Sequence, residues 1–230
     1  HYTIARSGLS RVFMQGVKIH SFGTAAEMWI NVRTLLETRS ENRRFVSVYW
    51  SAVDTYSHTY GPDAEHPQAE FAHFSAAFEA YFLDPLTAEA RKDTLLLLVA
   101  DHGQITTPKD PHYDLKTHPN LARRLTIAPT GENRLPYFYV HPGQLEAVRE
   151  SLERQFFGQF LPLDPAYAVE QGLFGPGEPH PHLRDRVGDL LALARGPAYL
   201  WWGREESPIL GRHGGLTEEE MLVPFLAVWL

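Results

Sequence analysis

Residues 94–103 read TLLLLVADHG, and this stretch decides how the rest of the chain is read. Its apolar part, 94–100, is the most hydrophobic run of the sequence and has the length of a buried strand. It falls far short of the roughly 18 consecutive apolar residues that a membrane span needs. The run stops on Asp101, His102 and Gly103, so groups able to hold a metal ion meet the end of a buried strand. Upstream, residues 44–53 (RFVSVYWSAV) are rich in β-branched and aromatic side chains and stop at Asp54, which marks a second buried strand. Between the two, Phe71, Phe74, Phe78 and Phe82 recur at spacings of three and four and predict a helix over about 66–83. Strand, helix, strand is a βαβ unit, which predicts parallel strands joined by a right-handed crossover.

Outward from that unit the pattern stays α/β. Residues 11–19 (RVFMQGVKI) alternate like a short strand. Met28, Trp29, Val32, Leu35 and Leu36 fall at helical spacing and predict a helix over 25–39, ended by the polar run Arg39-Ser40-Glu41-Asn42. Gly61-Pro62 marks a loop. Residues 104–135 read as loops and short helices punctuated by Pro108, Pro111, Pro119 and Pro129. Tyr137–Val140 then reads as a strand, and Leu145, Val148, Leu152 and Phe156 line one face of a helix. Together they predict a small α+β insertion at about 104–186. Residues 158–182 are dense in Gly and Pro and read as a long surface loop. Two apolar strands follow at 187–194 and 222–229, and Pro224 makes the last one start late or lie at an edge.

Composition narrows the functional classes. The chain has 230 residues, with 21 Lys+Arg against 28 Asp+Glu, a formal charge of −7. That length and 43% apolar residues suit one globular domain with a sizeable core, with room for a small subdomain. Five Trp, ten Tyr and thirteen Phe exclude disorder as a general description. An acidic chain without a Lys/Arg block lacks the footprint of a nucleic-acid-polymer binder. Cysteine is absent, so any transition-metal site must draw on His, Asp and Glu, and there are 12 His.

Five residues carry the chemistry: Asp54, His58, Asp101, His102 and His213. In open α/β sheets ligands bind in the crevice at the carboxyl ends of parallel strands, which would bring Asp54 and Asp101 together. His58 lies four residues after Asp54, so one helical turn would put both on one face. His102 adjoins Asp101, and His213 stands in Arg212-His213-Gly214-Gly215, whose paired glycines permit a close backbone approach. Oxygen and imidazole ligands suit zinc most simply, with manganese as the alternative. Five exceed what one tetrahedral zinc needs, which points to two ions of the kind that assist phosphoryl transfer. The remaining histidines (His66, His73, His112, His118, His141, His180 and His182) read as surface or loop residues. Asp63, Asp110 and Asp114 read as turn formers. Thr217 and Glu220 have the spacing of a capping box, a sufficient structural explanation for both.

These residues resemble a known group. Asp54-Thr55-Tyr56-Ser57-His58-Thr59-Tyr60-Gly61-Pro62 is similar to the Asp-x-x-x-His-x-x-Gly-Pro segment of the type I phosphodiesterase/nucleotide pyrophosphatase family. Val99-Ala100-Asp101-His102-Gly103 resembles that family's Asp-His-Gly motif, and Gly211-Arg212-His213-Gly214-Gly215 its C-terminal His-Gly motif. The three occur in the family's order over about residues 44–230. The family belongs to the alkaline phosphatase superfamily, so the resemblance implies that fold: a mostly parallel central sheet flanked by helices. It also implies a two-zinc hydrolase of phosphoric esters, with small phosphoester or nucleotide substrates. Asp54, His58 and His213 would hold one ion, and Asp101 and His102 would contribute to the other. Tyr56, Tyr60 and Tyr113 are candidate pocket-lining aromatics.

The chain departs from the family pattern upstream of Asp54, where it has no Asp. The family's nucleophilic Thr or Ser follows a first strand and its Asp. Thr3, Ser7, Ser10, Ser21 and Thr24 are hydroxyls without that arrangement. The chain is therefore read as the C-terminal portion of a longer protein, with the nucleophile upstream and catalysis by this chain alone in doubt. The alternatives are a phosphonate hydrolase, sulfatase or phosphomutase of the same superfamily, or a non-catalytic metal-binding fragment.

Overall fold

The computed structural model describes Ala5, residues 7–38, Ser40 and residues 42–230. Thr3 and two members of the expected helix-ending run, Arg39 and Glu41, lie outside the described residues. The chain divides into two compact units, residues 1–56, 63–99 and 224–230 in the first, and residues 57–62 and 100–223 in the second.

The chain opens with a short helix, α1 (Gly8–Phe13), capped by the Ser7 hydroxyl on Ser10 N–H at 3.1 Å. The strand expected over 11–19 does not form. A capped helical turn takes its first residues, and Gly16 at φ +81° turns the chain behind it. Alternation makes a strand only where a ladder partner exists, and the described residues offer none here.

Thr24 caps α2 (Ala25–Glu37) through Glu27 N–H, so the predicted helix is present. Residues 44–51 form no regular element and join no ladder among the described residues, and Ser51 starts α3 (Ala52–Tyr60), with Thr55 N–H donating to its carbonyl at 3.0 Å. The strand expected over 44–53 is thus a correction: Asp54 sits in the first turn of a helix, not at a strand end. α4 (Glu65–Phe78) runs into a π-helical turn at Glu79–Leu83, which covers the predicted phenylalanine helix. Its Phe74, Phe78 and Phe82 rings surround Trp29 of α2, with centroids 5.3, 4.8 and 5.4 Å away. A short α5 (Ala88–Arg91) leads into β1 (Leu95–Val99).

The second unit follows with β2 (Ile105–Thr106), 3₁₀ turns at Pro111–Tyr113 and Leu115–Thr117, and α6 (Pro119–Ala122). Asp110 and Asp114 cap those turns, accepting from His112 and Lys116 N–H at 2.8 and 2.9 Å, which is the turn-forming role expected of them. Then come β3 (Thr130–Glu132), β4 (Leu135–Phe138), α7 (Leu145–Gln155), β5 (Phe160–Leu163) and α8 (Pro165–Glu170). The last two occupy part of what the Gly/Pro density marked as loop. α9 (Leu183–Val187), β6 (Leu190–Ala194), β7 (Gly211–Arg212) and α10 (Glu218–Met221) complete this unit. The final strand, β8 (Phe225–Trp229), returns to the first unit and begins directly after Pro224, as the missing proline N–H requires.

Strand pairing corrects the parallel-sheet expectation. β1 pairs antiparallel with β8, β2 with β7, and β3-β4-β6-β5 form a four-stranded antiparallel sheet. Without a strand at 44–53, β1 has no parallel partner of the expected kind, and no βαβ unit closes among the described residues. The second unit's core gathers Phe138, Val148, Leu152, Phe156, Leu190 and Leu200, all at most 2% exposed.

Candidate metal centre

The site is built on α3 and on the two loops that carry Asp-His-Gly and His-Gly-Gly. α3 is one continuous helix, so Asp54 and His58, four residues apart, lie one above the other on one face. Gly61 at φ +92° ends it, its N–H donating to the Ser57 carbonyl at 2.9 Å, which is the left-handed conformation that favours glycine after a helix.

His58 is tied down twice. Its carbonyl accepts from Leu210 N–H at 2.7 Å, and its Nδ1 lies 2.8 Å from the Gly211 carbonyl oxygen. A carbonyl can only accept, so Nδ1 carries the proton and the neutral ring presents Nε2 as its lone-pair nitrogen. Gly211 must be glycine, because a Cβ there would run into the Ser57 carbonyl. β7 is held in turn by β2, with Ile105 opposite Arg212 and Thr106 opposite Gly211. Arg212 itself is buried, stacked 3.6 Å from the Tyr199 ring centroid and donating to the Thr107 and Ser207 hydroxyls. Burial, outweighing a contribution from Tyr199, lowers its guanidinium pKa to about 10, which leaves it charged at neutral pH.

His213 follows this anchored strand. Its ring centroid is 5.1 Å from that of His58, and it stacks on His102 at 3.6 Å with only 16° between the planes. Asp54, His58 and His213 each offer one ligand atom, all within 4.8 Å of one another. That spread, the oxygen-and-imidazole donor set and the tautomer fixed on His58 fit a divalent ion with three protein ligands. His102 uses the same device: its Nδ1 is 3.0 Å from the Gly103 carbonyl, so Nε2 is again the unprotonated nitrogen of the neutral ring. Among the described residues Asp101 and His102 are not part of a cluster of three metal-competent side chains. Asp101 is 67% exposed at its side chain, with Oδ1 3.8 Å from His102 Nε2.

The three tyrosines part company. Tyr56 lines a cavity of about 310 Å³ with Thr24, Trp50, Glu70 and His73, and Tyr60 is exposed. Tyr113 is buried in the second core against Tyr199 and Phe156, at 4.8 and 6.4 Å between ring centroids. Burial, aided by Asp110 and Tyr199, raises its phenol above the ordinary value. The sequence reading missed Glu220 and Arg134, which form a fully buried ion pair beside the His-Gly-Gly loop. The capping box had already accounted for Glu220, and nothing in the sequence pairs it with Arg134.

This is an α/β chain with a metal-competent cluster assembled by two short motifs, Asp-x-x-x-His and His-Gly. Residues 12–216 match the sequence profile of the type I phosphodiesterase/nucleotide pyrophosphatase family, and the chain belongs to that family, within the alkaline phosphatase superfamily. No curated protein sequence matches it. Among solved structures it is similar to murine ectonucleotide pyrophosphatase/phosphodiesterase 5, with a TM-score of 0.65 and 18% identity over 92% of this chain and 57% of that one. The human counterpart gives 0.63 and 17% over 92% and 57%. Phosphonoacetate hydrolase from Sinorhizobium meliloti 1021 gives 0.58 and 18% over 95% and 54%. At these identities the likeness establishes the fold, alkaline-phosphatase-like α/β. The chain spans a little over half the length of these relatives. No described helix is long and apolar enough to cross a membrane.

Proposed function

We propose that the chain is the metal-holding part of a phosphoester hydrolase of the phosphodiesterase/nucleotide pyrophosphatase type, acting on small phosphoester or nucleotide substrates. The observation that carries this is the convergence of Asp54, His58 and His213 within 4.8 Å. The His58 tautomer, set by the Gly211 carbonyl, supports it. On this reading the three residues hold one divalent ion, zinc in preference to manganese, and Asp101 and His102 contribute to a second. A bound ion of this kind would supply positive charge to offset the negative charge on the phosphoryl oxygens. The chain's own part is to orient: α3 fixes the carboxylate and one imidazole, and β7 delivers the other. The hydroxyl nucleophile is proposed to lie upstream, as in the family pattern. Tyr56 and Tyr60 are proposed to border the substrate.

A second reading is hydrolysis of a phosphonate, supported by the similarity to phosphonoacetate hydrolase; that protein's structure holds phosphonoacetate. Murine ectonucleotide pyrophosphatase/phosphodiesterase 5 has been solved as an inactive variant with AMP, which favours the nucleotide reading by its higher TM-score. The test is a panel of aryl phosphodiester, phosphomonoester, phosphonate and sulfate ester, run with zinc on this chain and on one extended upstream. Preferred turnover of the diester by the extended chain is the expected result. Preference for the phosphonate or sulfate would replace the assignment, and stoichiometric zinc with no turnover by either would favour a binding role.

A further inference from the structure

Two loops must stay in register for His102 and His213 to remain face to face, and one residue touches both. Glu220 is 2% exposed. Its carboxylate accepts from Gly215 N–H at 2.8 Å, two residues beyond His213. Its main-chain carbonyl accepts from Gly103 N–H at 2.8 Å, one residue beyond His102. The same carboxylate takes two bonds from Arg134, Nε to Oε1 at 3.0 Å and Nη2 to Oε2 at 2.8 Å, and one from the Thr217 hydroxyl at 3.0 Å. Arg134 is 0% exposed and is held in place by donating to the Gly196 and Ala198 carbonyls. Both loop glycines are packed closely here: a Cβ on Gly103 would strike the Glu219 carbonyl, one residue before Glu220, and one on Gly215 the Glu220 carboxylate.

We propose that Glu220, locked by Arg134, is the positioning residue of the metal centre: it clamps the Asp-His-Gly loop with its backbone and the His-Gly-Gly loop with its side chain. A capping box needs a glutamate at this place but does not need it buried, bidentate to an arginine, or bonded to Gly215. Those extra bonds cost desolvation, and in some proteins such buried pairs serve to fix one arrangement. An imidazole that has lost its support samples other orientations, and its contribution to metal affinity falls accordingly.

The inference builds on the metal reading above, and the test separates the two. Removing one partner alone would strand a buried charge and could unfold the second unit, so the informative variant is the double substitution Arg134→Met with Glu220→Met. It replaces the pair by apolar groups of similar volume, a change that buried ion pairs often tolerate. In this 230-residue chain the double variant should keep its melting temperature within a few degrees. It should lose zinc affinity by about ten- to a hundredfold, the usual effect of removing an outer support. Glu220→Asp serves as the conservative control and should recover part of that loss. Without metal, amide exchange at Gly103 and Gly215 should accelerate by at least tenfold in the double variant while the α7 amides stay protected. A folded double variant with native exchange at these two glycines overturns the clamp whether or not the chain binds zinc. If neither protein binds zinc but exchange accelerates, the clamp stands and the metal reading falls.

Discussion

The two units use similar apolar strands to opposite ends. In the second, β6 (LLALA) is sandwiched between β4 and β5, and four of its five residues are buried. In the first, β8 (FLAVW) has one strand partner among the described residues, β1, and all five of its residues are exposed, Phe225 at 69% and Trp229 at 70%. Composition does not distinguish the two strands. What differs is the number of elements covering them, and a two-stranded ribbon is marginal in water without such cover. The imidazoles of the candidate centre, His58, His102 and His213, all belong to the unit whose core is closed. Metal geometry of this kind needs rigid support, which the second unit supplies to the three imidazoles.

Two phenylalanines give the sharpest way to break this comparison. Phe138 of β4 is 0% exposed and Phe225 of β8 is 69% exposed. Phe138→Ala should cost about 3–5 kcal/mol, the transfer loss plus the cavity. Phe225→Ala should stay within about 0.5 kcal/mol, as for a surface substitution. Urea unfolding of the two variants measures both, and equal costs would mean that β8 is covered in solution.

The next effect is on the centre. His213→Ala should lower zinc affinity by about a hundredfold, roughly 2.7 kcal/mol, and excess zinc should restore binding. His182→Ala, at an exposed ring 3.3 Å from Asp185, should leave zinc affinity unchanged. Titration calorimetry separates the two. An unchanged affinity in the first variant would remove His213 from the ligand set.

A smaller effect appears with acid. Burial works to raise the Glu220 carboxyl pKa, but hydrogen bonds from Arg134, the Gly215 N–H and the Thr217 hydroxyl, with the Arg134 charge, outweigh it and hold the group below its ordinary value. A carboxylate depressed on folding stabilises the native state above its unfolded pKa, and the benefit is lost as pH falls through the folded value. Thermal melts should therefore show stability falling on the acid side of the ordinary carboxylate range. Replacing both members of the Arg134–Glu220 pair by Met should flatten that slope. A slope as steep in the double variant would assign it to other carboxylates.

What could be read from the sequence follows from what is local. The helices at 25–37 and 65–83, the apolar strand at 95–99 and the late start at Phe225 come from periodicity and proline chemistry within a few residues. Asp54 and His58 could be placed on one face because one helical turn joins them. The failures involve partners distant in sequence. Residues 44–51 have strand composition, yet composition does not supply a ladder, so neither Asp54 at a strand end nor a parallel sheet follows from it. Nothing local reveals that Tyr113 packs against Tyr199 and Phe156. Glu220 was explained too early: its local cap is genuine, while the bonds that matter to the centre reach Arg134, Gly215 and Gly103.

The smallest expected change concerns the bare ribbon itself. Leu226 of β8 lies opposite Leu98 of β1 and is 59% exposed. Leu226→Lys removes an apolar side chain that contributes little burial, so stability should move by no more than about 0.5 kcal/mol. The ribbon nevertheless exposes apolar side chains on both faces, Leu226 and Val228 on one and Leu95, Leu97, Val99, Phe225 and Trp229 on the other, and exposed apolar surface binds hydrophobic dyes and other chains. A lysine there interrupts the face that Leu226 shares with Val228 and adds charge, so binding of an environment-sensitive dye and concentration-dependent light scattering should both drop while the melting temperature holds. Loss of about 2 kcal/mol or more would mean that Leu226 is packed against something in solution, and the contrast between the bare ribbon and the closed core would then have to be abandoned.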